Sequence, residues 1–391
     1  MIKNDKIQEI DTAKILSNLL SNLTSREKDV LGRRFGLSKK ERETLKKIGE
    51  AHNLTRERVR QIENCGINKI KKVKEVDRSL NELKKATSDI LKDHGGIIER
   101  EYLLKVLLNL FENKKKTLNE NVSKNRLDFL LSKIMNEELE EIKGTENFQR
   151  SYKAKDQQVD HLEEMAEELV NKIKELRTTQ KTGDLFNVLK KLNSYNKHKD
   201  KILRQSPAGI SVSDIIREHY PEEDPIIIDK NKSLYSLLHA TKHLDQNRFG
   251  HWGHKDWSEI KPKRINDKIY LVLKHKQKPM HFEKIAQEID KLKFDNKKAN
   301  PATIHNELIL DEKYVLVGRG IYGLKEWGYK RGVVVDVIKD ILEKESKALS
   351  KEEIMEKVLE NRIVKKTTIN LALMNKDAFI KDKEGNYRLV K

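Results

Sequence analysis

Arg56, Arg58, Arg60 and Gln61 fall within six consecutive residues of this chain. Guanidinium and amide groups gathered this closely offer forked donors that match base edges in a DNA major groove. Lys46 and Lys47 precede the cluster, and Lys69, Lys71 and Lys72 follow it, at positions with no required apolar role. They are expected to neutralise backbone phosphates, each steepening the dependence of binding on salt. Recognition of nucleic acid is the chemistry that this set of side chains can perform.

Such donors must be carried on an element that fixes their direction. Residues 44 to 63, TLKKIGEAHNLTRERVRQIE, have the spacing of two helices joined by a tight turn. Ile48, Leu54, Val59 and Ile62 are the apolar positions that pack one helix across the other. Gly49 lets the second helix cross close to the first, and Asn53 stands at the turn, where a residue tolerant of positive φ is wanted. Thr55 is expected to cap the second helix through its hydroxyl, with Glu57 in its first turn. Arg56, Arg58, Arg60 and Gln61 then project mostly from the face opposite Val59 and Ile62, which is the layout of a recognition helix.

LTSREKDVLGRRFGL (23 to 37) followed by this segment resembles region four of the primary sigma factors of bacterial RNA polymerase. The resemblance covers roughly residues 10 to 74. It implies that the first element packs under a helix-turn-helix, that the second reads a promoter −35 element, and that the region docks on the flap of the polymerase β subunit. Carried over position by position, it makes Arg56, Glu57, Arg60 and Gln61 base-reading residues and Arg58 a phosphate contact. Two departures stand out. His52 replaces a larger apolar residue, and Cys65-Gly66 interrupts the recognition helix, where a glycine costs roughly 1 kcal/mol relative to alanine and loosens the helix end.

Composition points the same way. Lys+Arg 81 against Asp+Glu 63 leaves a formal charge of +18, which makes a polyanion the default partner. The single Cys65 excludes an intrachain disulfide and a thiolate zinc finger, and suits a reducing compartment. There is no N-terminal apolar signal and no run of 18 apolar residues, so the expectation is a soluble cytoplasmic, nucleoid-associated protein with no membrane partner. With 36% hydrophobic residues in 391, several small domains are expected rather than one large core.

The fold class expected is mainly α, an N-terminal helix-turn-helix domain (1–78) followed by tandem winged-helix domains. Short aromatic and β-branched stretches close successive segments: FQRSYKAK (148 to 155), NRFGHWGH (247 to 254), KYVLVGRGIYGLKEWGY (313 to 329) and AFIKDKEGNYRLVK (378 to 391). The last two turn around Gly318-Arg319-Gly320 and Glu384-Gly385-Asn386, as hairpins do. Helices followed by a hairpin give winged-helix units at 80–156, 158–258 with an insertion near 200–230, 263–329, and 331–391. The twelve apolar positions of residues 1–78 should suffice for a small core of their own. Arg319, between two glycines at a hairpin tip, is a candidate DNA contact, with Val315 and Val317 opposite Ile321 and Leu324 as buried stems.

RINDKIYLVLKHKQKPMHFEKIAQEI, NPATIHNELILD and KYVLVGRGIYGLKEW are similar to the winged-helix domain called HARE-HTH. That domain is shared by the delta subunit of bacterial RNA polymerase, some restriction enzymes and eukaryotic chromatin regulators. The resemblance implies DNA binding or docking to the transcription machinery. In the last segment Ser350 is a cap, and a recognition helix is expected to begin near Lys366-Thr367-Thr368.

Catalytic patterns are poor. Asp224 to Asp229-Lys230, with Glu222 and Glu223, lacks a nuclease spacing and reads as a solvated acidic loop. Gly318-Arg319-Gly320 is too short for a phosphate loop. His251 and His254 flank Trp252 with no third metal ligand evident. Glu163, Glu164, Glu167 and Glu168 read as a solvated helix face. No cofactor, metal or catalytic residue is expected, and the chain is read as a non-enzyme. No region-two helix for melting a −10 element is present. The leading expectation is therefore a sequence-specific DNA-binding transcription factor that binds double-stranded DNA, with the RNA polymerase core as partner. The alternatives are a delta-like accessory polymerase subunit and the recognition subunit of a restriction or modification system.

Overall fold

The computed structural model describes residues 11–38, 41–73, 78–111, 120–155, 157–203, 210–295, 297–329, 332–382 and 384–390. The fold is mainly α with small antiparallel sheets. It divides into two compact units, residues 1–256 and 257–391.

The first unit begins with α1 (Thr12–Leu20), α2 (Ser25–Phe35), α3 (Leu45–His52) and α4 (Arg56–Val73). A reciprocal capping box starts α2: the Glu27 N–H donates to Thr24 Oγ1 (3.3 Å) and the Thr24 N–H donates to Glu27 Oε2 (2.9 Å). Gly36, at φ 66°, ends it. There follow α5 (Arg78–Asp93), β1 (Ile97–Glu99), α6 (Arg100–Phe111), α7 (Glu120–Phe129), a π-helical turn (Leu130–Ile134), β2 (Leu139–Ile142) and β3 (Ser151–Ala154). The three strands form one sheet in the order β1-β3-β2.

The element α7 also closes the underside of the N-terminal helices. The Phe35 and Phe129 rings lie 4.8 Å apart, Arg126 Nε donates to the Leu37 carbonyl (3.1 Å), and Arg42 reaches Asp128 (2.9 Å). Asp128 is held at the same time by Arg100 (2.6 Å). A chain cut at residue 78 therefore bares part of its own core. The 1–78 fragment is expected to be less stable than 1–156 by about 2–3 kcal/mol, the worth of one large buried side chain. Circular dichroism melts check this, and equal melting would mean that α7 adds nothing to the N-terminal helices.

The remainder of the first unit is α8 (Asp160–Leu176), β4 (Gln180–Lys181), α9 (Thr182–Lys190), α10 (Asn193–Leu203), α11 (Ser213–His219), α12 (Pro225–Lys230), α13 (Lys232–Ala240), β5 (Leu244–Gln246) and β6 (His251–His254). Its sheet runs β4-β6-β5. Of the stretch 200–230, residues 204–209, which include Ser206-Pro207-Ala208, lie outside the described residues.

The acidic face of α8 is solvent-facing at Glu164 and Glu167 and also makes contacts: Glu168 accepts from the N–H groups of Asn193 (3.0 Å) and Ser194 (2.8 Å), and Glu164 accepts from Lys197 and His198. One sequence expectation is corrected here. The carboxylates near 224 are structural. Asp224 caps α12 ahead of Pro225, Asp229 accepts from Ser211, Ser213 and the Val212 N–H, and half-buried Glu223 accepts from Thr182 and Gln246.

Helix α13 lies over β1, with Ser236 Oγ donating to the Ile97 carbonyl (2.5 Å). Lys232 on the same helix forms a buried pair with Asp93 (2.5 Å). Tyr102 stacks on His239 (4.9 Å between ring centres), and Tyr235, Tyr220 and Trp252 pack edge-on around that imidazole. Burial holds His94 at a pKa of about 4 and His239 at about 3, so both are neutral at pH 7.

The second unit contains α14 (Ile265–Lys276), β7 (Met280–His281), α15 (Phe282–Leu292), α16 (Pro301–Leu310), β8 (Tyr314–Gly318) and β9 (Ile321–Leu324), then α17 (Val334–Glu345), α18 (Lys351–Asn361), α19 (Lys366–Leu373), β10 (Phe379–Lys381) and β11 (Tyr387–Leu389). The sheets are β7-β9-β8 and β10-β11. Asn300 caps α16 ahead of Pro301, and Ser350 caps α18 with Glu353 closing the box. Ile269, Val272, Ile285, Ile289 and Ile304 build the first of its two cores.

The register of the β8-β9 hairpin differs from the expected one. Tyr314 opposes Leu324, Val315 opposes Gly323 and Gly318 opposes Ile321, with an irregularity between Leu316 and Gly318. Tyr314 and Leu324 join that core. Val315 and Val317 are buried apart from it, and Ile321 is only half-buried.

Candidate nucleic-acid interface

The recognition segment is set by short-range chemistry. Thr44 caps α3 by accepting from the Lys47 N–H (3.2 Å). Val30, Ile48 and Val59 form a fully buried centre, with Leu45, Leu54 and Ile62 around it. A Cβ on Gly49 would lie 2.5 Å from the Leu54 carbonyl oxygen, so the turn returns across a position only glycine can occupy. Asn53 takes the left-handed conformation (φ 55°, ψ 44°). The Arg58 N–H donates to Thr55 Oγ1 (3.2 Å), which satisfies one of the free N–H groups at the start of α4.

With the buried side of α4 fixed by Val59, the residues Arg56, Glu57, Arg58, Arg60 and Gln61 are all exposed. Two pairs preorganise them. Arg60 donates to both Glu57 oxygens (2.9 and 2.7 Å), and Arg58 donates to Gln61 Oε1 (2.9 Å). The Arg60 guanidinium holds the Glu57 carboxyl below its usual range, so the acid is ionised at neutral pH. Exposed pairs three residues apart are weak and exchange readily for an external partner.

The flanking lysines separate into two groups. Lys46, Lys47 and Lys72 are exposed and Lys71 is half-buried, all on the helices of this motif. Lys69 instead donates to Glu27 Oε1 (2.7 Å). That contact, with the cap at Thr24, holds the buried Glu27 carboxyl at a pKa of about 2. Lys69, itself exposed, thus also ties α4 to α2.

Both departures from the family pattern have a physical explanation. His52 Nε2 lies 2.7 Å from Asp29, so a polar link replaces an apolar contact between α3 and α2. Helix α4 runs unbroken through Cys65-Gly66, and a Cβ at Gly66 would come within 3.1 Å of the Leu31 side chain. The glycine is a point of close helix approach rather than an interruption.

Far along the sequence, Arg319 is exposed at the turn between β8 and β9, beside Gly320 at φ 67°. A Cβ at Gly320 would lie 2.6 Å from the His281 ring. Among the described residues, no group of three His, Cys, Asp or Glu side chains could hold a metal ion. His254 stacks on His243, and buried Trp252 donates to Thr182 Oγ1 (2.9 Å). No helix of the described residues is long and apolar enough to cross a membrane.

Comparison with known proteins bears on the N-terminal helices alone. Residues 19–72 match the family model for sigma-70, region 4. The RNA polymerase sigma-C factor of a Nostoc species is 49% identical over 59 residues, 15% of this chain and 14% of that protein. The RNA polymerase sigma factor SigA of Microcystis aeruginosa is 46% identical over 56 residues, 14% of each chain. The sigma factor RpoD of Helicobacter pylori is 44% identical over 68 residues, 17% of this chain and 10% of that protein. The chain spans about a seventh or less of the length of these relatives. No solved structure matches it. Residues 19–72 thus resemble sigma region four, a helix-turn-helix of a DNA-binding transcription type.

Proposed function

We propose that the chain is a sequence-selective DNA-binding transcription factor that reads duplex DNA through α4 and acts together with RNA polymerase. The observation that carries this reading is the exposed row Arg56, Glu57, Arg58, Arg60 and Gln61 on a capped helix whose opposite side is locked by Val59. In the groove, Arg60 suits a guanine edge and Gln61 an adenine edge, while Glu57 accepts from a cytosine amino group. Lys46, Lys47, Lys71 and Lys72 then lie along phosphates. Neither a cofactor nor a catalytic step is part of this function, and the cytoplasm is its place.

The order helix, strand, two helices and a hairpin in residues 263–324, with β7 joined to β9, supports a winged-helix unit of HARE-HTH kind. The same order in 78–154 supports another, and the remaining stretches vary the plan. A second reading, an accessory polymerase subunit, is favoured by α16, which ends in exposed Ile309 and Leu310 (54% and 78%) where a DNA-reading helix would carry donors.

Selection from random duplexes at fixed salt tests the first reading. Arg60→Ala is expected to cost about 1–3 kcal/mol on the selected site and to relax preference at one or two base pairs. Equal weakening on all sequences would make Arg60 a phosphate contact. A wild-type chain that selects no sequence would leave the accessory-subunit reading.

A further inference from the structure

The hairpin β8-β9 is sewn to the segment that enters α19. Ile363 donates its N–H to the Val317 carbonyl (2.8 Å), and buried Arg362 donates to the carbonyls of Leu316 and Gly332. The Ile363 carbonyl sits so close to Gly318 that a Cβ there would lie 2.5 Å from it. Arg319 is the residue after Gly318, and Lys365 and Lys366 follow Ile363 by two and three. The seam therefore places the segment of Arg319 beside that of Lys365 and Lys366, which lie 46 and 47 positions later in sequence. Arg319, Lys365 and Lys366 are exposed, as are Thr367 and Thr368 at the start of α19.

We propose that this seam builds a second DNA contact, a phosphate-binding surface made jointly by the hairpin tip of one folded segment and the helix start of the next. Three long cations and two hydroxyls suit a sugar-phosphate strand. The Arg362 and Ile363 hydrogen bonds hold the spacing between tip and helix, so the cations meet the backbone as a set. This inference rests on the DNA-binding reading of α4. With α4 on its site, the second surface meets the same duplex at a high effective concentration, which lets a weak contact count. Its contribution is independent of sequence and strongly dependent on salt.

The test compares the full-length wild-type chain, Arg60→Ala, and the triple variant Arg319→Glu/Lys365→Glu/Lys366→Glu on the selected duplex over a salt series. The triple variant is expected to bind at least about ten-fold more weakly at low salt, with a salt slope shallower by about two to three and an unchanged base preference. An unchanged slope in the triple variant, alongside weakened binding by Arg60→Ala, overturns the second surface and leaves α4 as the reader. If Arg60→Ala also binds as the wild type does, the DNA reading of α4 itself fails. Photo-crosslinking amino acids placed singly at Arg319 and Thr367 test the joint nature of the surface. They are expected to label nucleotides within a few positions of each other, and labels more than about one helical turn apart, ~10 base pairs, overturn it.

Discussion

Gly49→Val is expected to destabilise the N-terminal helices by on the order of 3 kcal/mol and to abolish sequence-selective binding, because the added atoms have nowhere to go. The Cβ would stand 2.5 Å from the Leu54 carbonyl oxygen, which is backbone fixed by Asn53 at the turn and by the Leu54 N–H bonded to the Gly49 carbonyl (2.9 Å). Relief would require α4 to move away from α3 and open the Ile48–Val59 contact. Gly32→Ala is the matched control: it lies in α2 with nothing within 4 Å of its missing Cβ. That change is expected to be neutral or to stabilise by about 1 kcal/mol through helix propensity. Thermal melts of the two variants and their binding to a selected duplex check the pair. Equal melting temperatures would show that the close crossing at Gly49 does not hold the motif together.

Acid is expected to destabilise the first unit well before ordinary carboxylates titrate. His94 and His239 take up protons at about pH 4 and about pH 3 when folded, against 6.5 for free imidazole. Between those values the unfolded chain binds more protons, so stability falls as pH drops below 6.5 and stops falling below the folded values. Each shift corresponds to about 3 kcal/mol or more when fully developed, and about 2 kcal/mol per histidine is already lost at pH 5. Urea melts at pH 7 and pH 5, followed by tryptophan fluorescence, measure the loss. His239→Phe keeps the ring and removes the proton site, so its stability should depend less steeply on pH. The same slope in that variant and the wild type would exclude His239 as a source.

The helix-turn-helix was readable from residue types because its determinants are local. Gly49, Asn53 and Thr55 each specify one backbone event within a few residues of themselves, and Ile48, Leu54, Val59 and Ile62 mark one face. The hairpin tips at 319–320 and 384–386 were readable for the same reason. What escaped was long-range. The Lys69–Glu27 pair spans 42 positions, and the Lys232–Asp93 pair spans 139. No local pattern announces such pairings. Gly66 was read as a break because propensity treats a glycine by its own helix, whereas here the neighbouring helix supplies Leu31 against it. Carboxylates at 223 and 229 looked solvated because their partners lie on other elements. The β8-β9 register shifted because the irregularity at Leu316–Gly318 puts successive side chains out of simple alternation. Lys365 was passed over because only the Ile363–Val317 bond places it beside Arg319.

The 18 residues of α4 form a rod of about 27 Å. Arg56 to Gln61 occupy one end, while Ile70 is buried toward the other and the helix packs on the π-helical turn that follows α7. With the first end in a groove, as proposed, the second end would point the rest of the 1–256 unit to one side of that contact. A single copy of this motif has no twofold axis, so on the proposed reading a lone chain would read a vector rather than a palindrome. Inverting that site within a stretch of DNA would swing the whole unit to the opposite flank, and any partner it carries would be delivered upstream instead of downstream.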